Sequence, residues 1–368
     1  MLSLPSLVAA EGWQDRILIN GDLRFRGEHI IDGANEAGTV MTETERMRLR
    51  ARARLQLSAK INSQTDLILR AATGSPTTGA APTTNQDLTG YGSRKDFNLD
   101  LAYASWRPKE SSQIWLGKTP IPFYQPGVSD LLFDSDFTPE GISAKVFNQR
   151  GKFKTFWNLA LWQMSERHDS STPQARKDVI LVGGDGGLQI PLAQDTLSIG
   201  ASYYNYSNIR GTSAGTAGSP LARGNTTTIS GLDLFYAYKY ELVRVFGDFN
   251  TSVAGTAATL YIDAAQNQDP DDENLALLYG VKFGKLVEPG NWSLSVDHRF
   301  LQKDSTVGLI ADDGVGSGGT DLTNTRICLH YQIGVGAVMG LTFIDARRLA
   351  SSAHIGYQRS MVDLSLSF

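Results

Sequence analysis

The chain has 368 residues, 41% of them hydrophobic and 20% charged, with a formal net charge of −4. That length allows one large core or two domains, the near-neutral balance gives no argument for nucleic-acid binding, and no run approaches the roughly 18 apolar residues of a transmembrane helix. A single cysteine, Cys328, excludes an internal disulfide framework and a cysteine-based zinc site.

Residues 1–16 stand apart. MLSLPSLVAA reads as the tail of a secretory apolar region ending in small residues before Glu11, or as an ordinary N-terminal arm, since it lacks a basic start. From Ile17 to Phe368 the dominant signal is alternation of period two, in which successive side chains point to opposite faces of a strand. The first strand is expected near Ile17–Ile30, with Ile19, Leu23 and Phe25 opposite Asp22, Arg24, Arg26 and Glu28. The second carries Arg46, Arg48, Arg50, Arg52 and Arg54, with Met47, Leu49, Ala51, Ala53 and Leu55 in the gaps. A helix would scatter those arginines, whereas a strand gathers them into a guanidinium column backed by an apolar strip.

Strands follow at Thr65–Gly74, Asp96–Arg107, Ser112–Lys118, Gly141–Asn148, Phe153–Glu166, Asp178–Leu192 and Thr196–Asn208. The remainder are Thr228–Tyr240, Leu242–Val253, Asn274–Leu286, Trp292–Lys303, Asp321–Gln332, Val335–Arg347 and Ala353–Phe368, which makes sixteen in all. Phe97, Leu99, Leu101 and Tyr103 are expected on one face of the fourth. Short turns at Asn62-Ser63, Pro108–Glu110, Arg150–Lys152, Ala193–Asp195, around Glu241, Glu288–Asn291 and Gly334 alternate with long polar segments. The long segments are Asp32–Thr44, Ser75–Lys95, Thr119–Glu140, Arg167–Lys177, Ile209–Thr227, Ala254–Glu273 and Asp304–Thr320, with a shorter one near Ala350. A soluble sandwich has no reason to sort its loops by length onto alternate ends. A transmembrane, antiparallel, up-and-down β-barrel does, with short turns at one rim and long loops at the other. Strands of about 9–11 residues span the bilayer when tilted. Aromatic residues near strand ends, at Trp13, Tyr103, Trp157, Tyr203, Tyr240, Trp292 and Phe300, fit interfacial girdles.

The terminal strand alternates Val362, Leu364 and Leu366 with Met361, Asp363 and Ser365 and ends on Phe368. It is similar to the signal by which outer-membrane barrels engage their assembly machinery. RMRLRARARLQLSAKI and DLLFDSDFTPEG (Asp130–Gly141) resemble the bacterial family called putative porins, relatives of the general diffusion porins. The resemblance implies a pore of about sixteen strands in the bacterial outer membrane, a third external loop folded inward, and a homotrimer. It also implies outer-membrane lipid and lipopolysaccharide as surroundings and small hydrophilic solutes as cargo.

Arg24, Arg26 and Arg70 would extend the column to an eight-arginine patch lining the pore. Close guanidinium groups repel and must be hydrated or paired, and Asp22, Glu28 and Asp66 share their face, with Asp363 if the last strand closes on the first. The competing reading is a structural ion-pair network, or a surface for anionic lipopolysaccharide. Thr119–Glu140 combines Asp130, Asp134, Asp136 and Glu140 with Phe123, Tyr124, Leu131, Leu132, Phe133 and Phe137. A loop so apolar suits the inner wall better than water, where its carboxylates would face the arginines across a constriction. Asp134 and Asp136 also invite a calcium reading on spacing alone, which is weak support. The histidines are scattered and Gly183–Gly187 precedes no helix, so neither a metal motif, a phosphate loop nor a cofactor is expected. Three functions remain: passive diffusion, a dedicated channel for phosphate, sulfate or an acidic polysaccharide, and a barrel that merely anchors an enzyme or adhesin.

Overall fold

The computed structural model describes residues 12, 16–34, 40–75, 82–88, 90–167, 177–216, 219–315, 318–349 and 356–368, so most of the N-terminal arm lies outside it. Sixteen strands form the wall. They are β1 (Ile17–Ala34), β2 (Val40–Lys60), β3 (Thr65–Thr73), β4 (Phe97–Lys109), β5 (Ser112–Lys118), β6 (Glu140–Arg150), β7 (Phe153–Ser165) and β8 (Val179–Leu192). The second half comprises β9 (Asp195–Ser207), β10 (Tyr240–Val253), β11 (Thr256–Asn267), β12 (Leu275–Gly284), β13 (Trp292–Leu301), β14 (Leu322–Gly334), β15 (Ala337–Arg348) and β16 (Gly356–Ser367). Each strand pairs antiparallel with its neighbours in sequence, and β1 pairs with β16 from Asp22↔Ser367 to Asp32↔Tyr357. Gly21 and Phe368 complete the seam by exchanging backbone hydrogen bonds of 3.1 Å. Closure leaves no free sheet edge, so every wall strand has two partners.

The two faces differ as the alternation demands. On β2, Met47 and Leu49 are 77% and 60% exposed, while Arg48 and Arg50 point inward. The same split puts Val243 and Val245 outside and Arg244 and Asp248 inside on β10. Outward apolar residues cost nothing only where the surroundings are themselves apolar.

One expected strand is not part of the wall and one wall strand was not expected, so the errors cancel in the count. Thr228–Tyr240 is not wall: Thr227–Ser230 and Asp233–Tyr236 form a hairpin within a separate four-stranded sheet. Thr256–Asn267, expected inside a loop, is β11, and Ala254-Gly255 is a tight turn with both residues at positive φ. Alanine and threonine dilute the alternation of β11 to Leu260 and Ile262 outside against Tyr261 and Asp263 inside. In β4 a register shift sets Leu101 opposite Arg70 and Leu99 opposite Ala71, leaving Asp100 as the extra residue of a bulge. Leu101 and Tyr103 therefore face inward, where Tyr103 packs on Trp115 with ring centroids 5.8 Å apart. Tyr240, fully buried, likewise leaves the expected girdle, whereas Trp157, Tyr203 and Trp292 remain exposed on the outer face. Trp13 lies outside the described residues.

The glycines of β8 make room for neighbouring rings. A Cβ at Gly186 would stand 2.4 Å from the Trp157 ring, and one at Gly187 would stand 2.3 Å from Phe156. Long segments converge on one apolar cluster joining Phe123, Leu131, Leu132 and Phe133 to Trp162 and Tyr204 of the wall and to Ile209, Tyr236, Val307 and Ile310.

Candidate functional site

The arginine column is a ladder of charge pairs. Glu28, with a fully buried side chain, accepts hydrogen bonds from Arg48 Nε (2.5 Å) and Arg359 Nη2 (2.7 Å), with Arg26 and Arg50 within 3.7 Å and 3.6 Å. Asp22 accepts from both Arg52 and Arg54 at 2.7 Å, Asp363 takes a two-pronged contact from Arg26, and Asp100 accepts from Arg70 at 2.5 Å. Among the described residues Arg24 forms no ion pair, and it donates to Asn85 Oδ1 at 2.6 Å. Asp66, expected in the same set, pairs with Arg107. Paired geometry of this kind is what permits parallel guanidinium groups on alternate residues of one strand.

One partner was invisible in the sequence. The segment after β3 returns to the wall at Gln86-Asp87, which pairs in register with Arg50-Ala51 above the end of β3. This points Asp87 inward beside Arg46 (3.0 Å), Arg48 (3.5 Å) and Arg50 (3.0 Å). Asn85 O accepts from Arg50 Nη2 at 3.0 Å, and Thr84 donates its N–H and hydroxyl to Asp136 Oδ2 at 3.0 and 2.8 Å.

Residues between β5 and β6 bond repeatedly to inward-facing wall side chains. Tyr124 donates its N–H to Asp185 and its hydroxyl to Asp248, both at 2.6 Å, and its ring stacks on Phe156 and Phe246. Burial, with Asp248 beside it, pushes the Tyr124 phenol up to about 12. Ser129 donates to Asp263 at 2.6 Å, and Asp130 pairs with Arg299 and with Arg326, the latter at 2.8 Å. Burial opposes ionisation of Asp130, but the two guanidinium groups outweigh it and hold its carboxyl below the usual range. A Cβ on Gly127, at φ +59°, would meet the Tyr261 ring at 2.3 Å, so a larger residue would lift this segment off the wall.

Asp134 behaves differently from its neighbours. Its oxygens accept from the backbone N–H of Asp136 (2.6 Å) and Asp313 (3.0 Å), and they lie with carboxylate oxygens of Asp312 and Asp313 within 4.8 Å of one another. Burial, then the charges of Asp312 and Asp313, push the Asp134 carboxyl up to about 9, and burial likewise raises Asp313. The sequence had grouped Asp134 with Asp136, but Asp136 is turned to Thr84. Glu140 stands apart at the start of β6, exposed, on the same parity as Ile142, and pairs with Lys118 at 3.0 Å. Among the described residues no ion pair or hydrogen bond joins Arg46, Arg48 or Arg50 directly to Asp130, Asp134 or Asp136; Asp136 does exert electrostatic influence on Arg24 and Arg52.

A closed wall with a charged interior and an apolar exterior is matched by comparison with known proteins. The profile of the family described as Putative porin matches residues 32–239. The chain belongs to that family. Among solved structures, OprB of Pseudomonas putida superposes with a TM-score of 0.58 at 10% identity, over 95% of this chain and 94% of that one. A loop-deleted OmpT of Vibrio cholerae gives 0.53 at 9% identity, over 96% and 99%. OmpF of Salmonella typhi, in complex with daunomycin, gives 0.51 at 10% identity, over 96% and 97%. No curated protein sequence matches significantly. As a porin of the bacterial outer membrane, the protein turns the Met47, Leu49, Val243 and Val245 face toward lipid, and family and fold are those of a channel rather than an enzyme.

The basic side of the lumen also uses residues that sequence reasoning passed over. Arg299, Arg326, Arg359, Asp87, Asp312 and Asp313 all join the two charge clusters. Only Arg299, Arg326 and Arg359 carried a strand-parity signal.

Proposed function

We propose that this porin forms a water-filled channel for passive diffusion of small hydrophilic solutes and ions. Residues 119–140 supply the constriction loop, and Arg24, Arg26, Arg46, Arg48, Arg50, Arg52, Arg54 and Arg70 line the wall that solutes pass. The observation that carries this reading is the inward column on β2 within a closed wall, with its outermost member, Arg46, 57% exposed. Contacts of Tyr124, Ser129 and Asp130 with wall residues support an inward fold of the loop. Among the described residues, nine inward arginines of this wall (the eight named and Arg359) pair with five carboxylates, Asp22, Glu28, Asp87, Asp100 and Asp363, and this local excess of positive charge along the column supports a preference for anions. Liposomes containing the purified protein should swell in isotonic solutions of small sugars and more slowly as solute size increases. Swelling rates equal to protein-free liposomes would sink the channel reading.

The assembly proposed is a homotrimer. Its contact wall is β1–β3, where Gly27, Ala51, Ala53 and Ala59 keep the lipid-side surface low and let another subunit approach. Ala51→Trp with Ala53→Trp should convert the oligomer to monomer on native gels; an unchanged oligomer would place the contact elsewhere.

A further inference from the structure

The guanidinium groups of Arg46, Arg48 and Arg50 converge on one small group, and the group they hold fits them incompletely. Asp87 Oδ2 accepts from Arg46 Nη2 at 3.0 Å, while Oδ1 is shared by Arg48 Nη1 at 3.5 Å and Arg50 Nε at 3.0 Å. The Arg50 contact is close but misaligned: among the described residues, Nε of this buried side chain makes no hydrogen bond. The carboxylate has acceptor capacity for all three donors, but its plane is aligned with Arg46 and Arg48 and not with Arg50. Behind the arginines, Glu28 is fully buried and also engaged by Arg359, so it cannot turn toward the lumen without breaking those bonds. Asp87, by contrast, is about one-third exposed and is carried by a two-residue pairing on the wall.

We propose that Arg46, Arg48 and Arg50 form a lumenal subsite for a tetrahedral oxyanion of the phosphate type, and that Asp87 occupies it as an internal competitor. The proposal rests on the reading that the column borders the solute path. Three terminal oxygens, out of one plane, give each guanidinium its own acceptor, including Arg50 Nε. A dianion also balances three cations better than one carboxylate does. Entry requires only that the Asp87 side chain rotate away toward water, because its backbone pairing with Arg50 does not depend on the carboxylate. Asp87 therefore weakens retention of the passing anion, which keeps the subsite from becoming a trap.

The test is single-channel recording of the full chain in planar bilayers, in potassium chloride at mildly alkaline pH, with inorganic phosphate added stepwise. Asp87→Asn should lower the phosphate concentration for half-block about tenfold relative to wild type, as expected when one charged competitor is removed. Asp87→Glu should behave as wild type, and Arg46→Gln added to Asp87→Asn should erase the gain. An Asp87→Asn channel with normal chloride conductance and unchanged phosphate block would overturn the subsite and leave the channel reading standing. If Asp87→Asn forms no channels, Asp87→Ser is judged by the same half-block. A wild-type protein that conducts nothing would overturn both.

Discussion

Asp134 shows how one side chain ties loop packing to proton activity. It is held between its own segment and the 302–321 segment, with Asp312 and Asp313 beside it, Arg299 on Asp312 and Arg359 on the carbonyls of Asp313 and Gly314. Its carboxyl titrates at about 9 instead of 3.8, so the docked loop favours the protonated form. Below pH 3.8 the group is neutral docked or undocked and carries no penalty. As pH rises from there toward about 9, release of the loop is increasingly favoured, because only the free carboxyl has lost its proton. Protection factors for amides of residues 119–139 should therefore fall between mildly acidic and alkaline pH, and Asp134→Asn should flatten that dependence. Equal protection across the range in the wild type would show that Asp134 does not carry the linkage. None of this was legible from the chain, since Asp312 and Asp313 lie almost 180 residues from Asp134 and follow no periodicity. The arginine column was legible, because strand parity alone aligns it, and so was the approach of Asp363 to Arg26 once closure of the last strand on the first is assumed.

At the scale of the element, legibility followed the strength of alternation. Strands such as β2 and β16, with bulky apolar residues at alternate positions over long runs, were readable at once. β11 was lost because its lipid-side alternation is carried chiefly by Leu260 and Ile262, while Leu234 and Tyr236 gave a comparable pattern to a four-residue strand in a loop. The bulge at Asp100 was equally hidden: a one-residue shift reverses the facing of every later side chain without leaving a mark in composition. The corrected assignment moves the Ser252–Thr256 turn to the short-turn rim shared with Pro289 and leaves Leu232 at the opposite rim. In a Cys328→Ser background, Leu232→Cys should react with an impermeant thiol reagent on intact cells. Ser252→Cys and Pro289→Cys should react only after the outer membrane is opened. Labelling of Ser252→Cys on intact cells would restore the discarded strand order.

For the whole molecule, an even number of antiparallel strands, closed through Gly21 and Phe368, turns an ordinary alternation into two solvents: lipid outside and water with charge inside. The contacts of the connecting segments could not be deduced from period two, because residues 82–88, 119–139, 208–216, 219–239, 302–315 and 318–321 pack by chemistry specific to each. The central claim is that the arginine column borders the conducting path, and Arg46 is the member to alter, since Arg48 and Arg50 are buried in ion pairs whose loss would also disturb folding. The direct measurement is the reversal potential across a planar bilayer under a potassium chloride gradient, for the wild type and for Arg46→Glu. The wild type should favour chloride, and Arg46→Glu should shift the potential toward potassium, with the shift shrinking as salt rises to about 1 M, where charges are screened beyond roughly 3 Å. Identical reversal potentials for the two proteins at low salt would contradict the account, making the column a structural network away from the ion path.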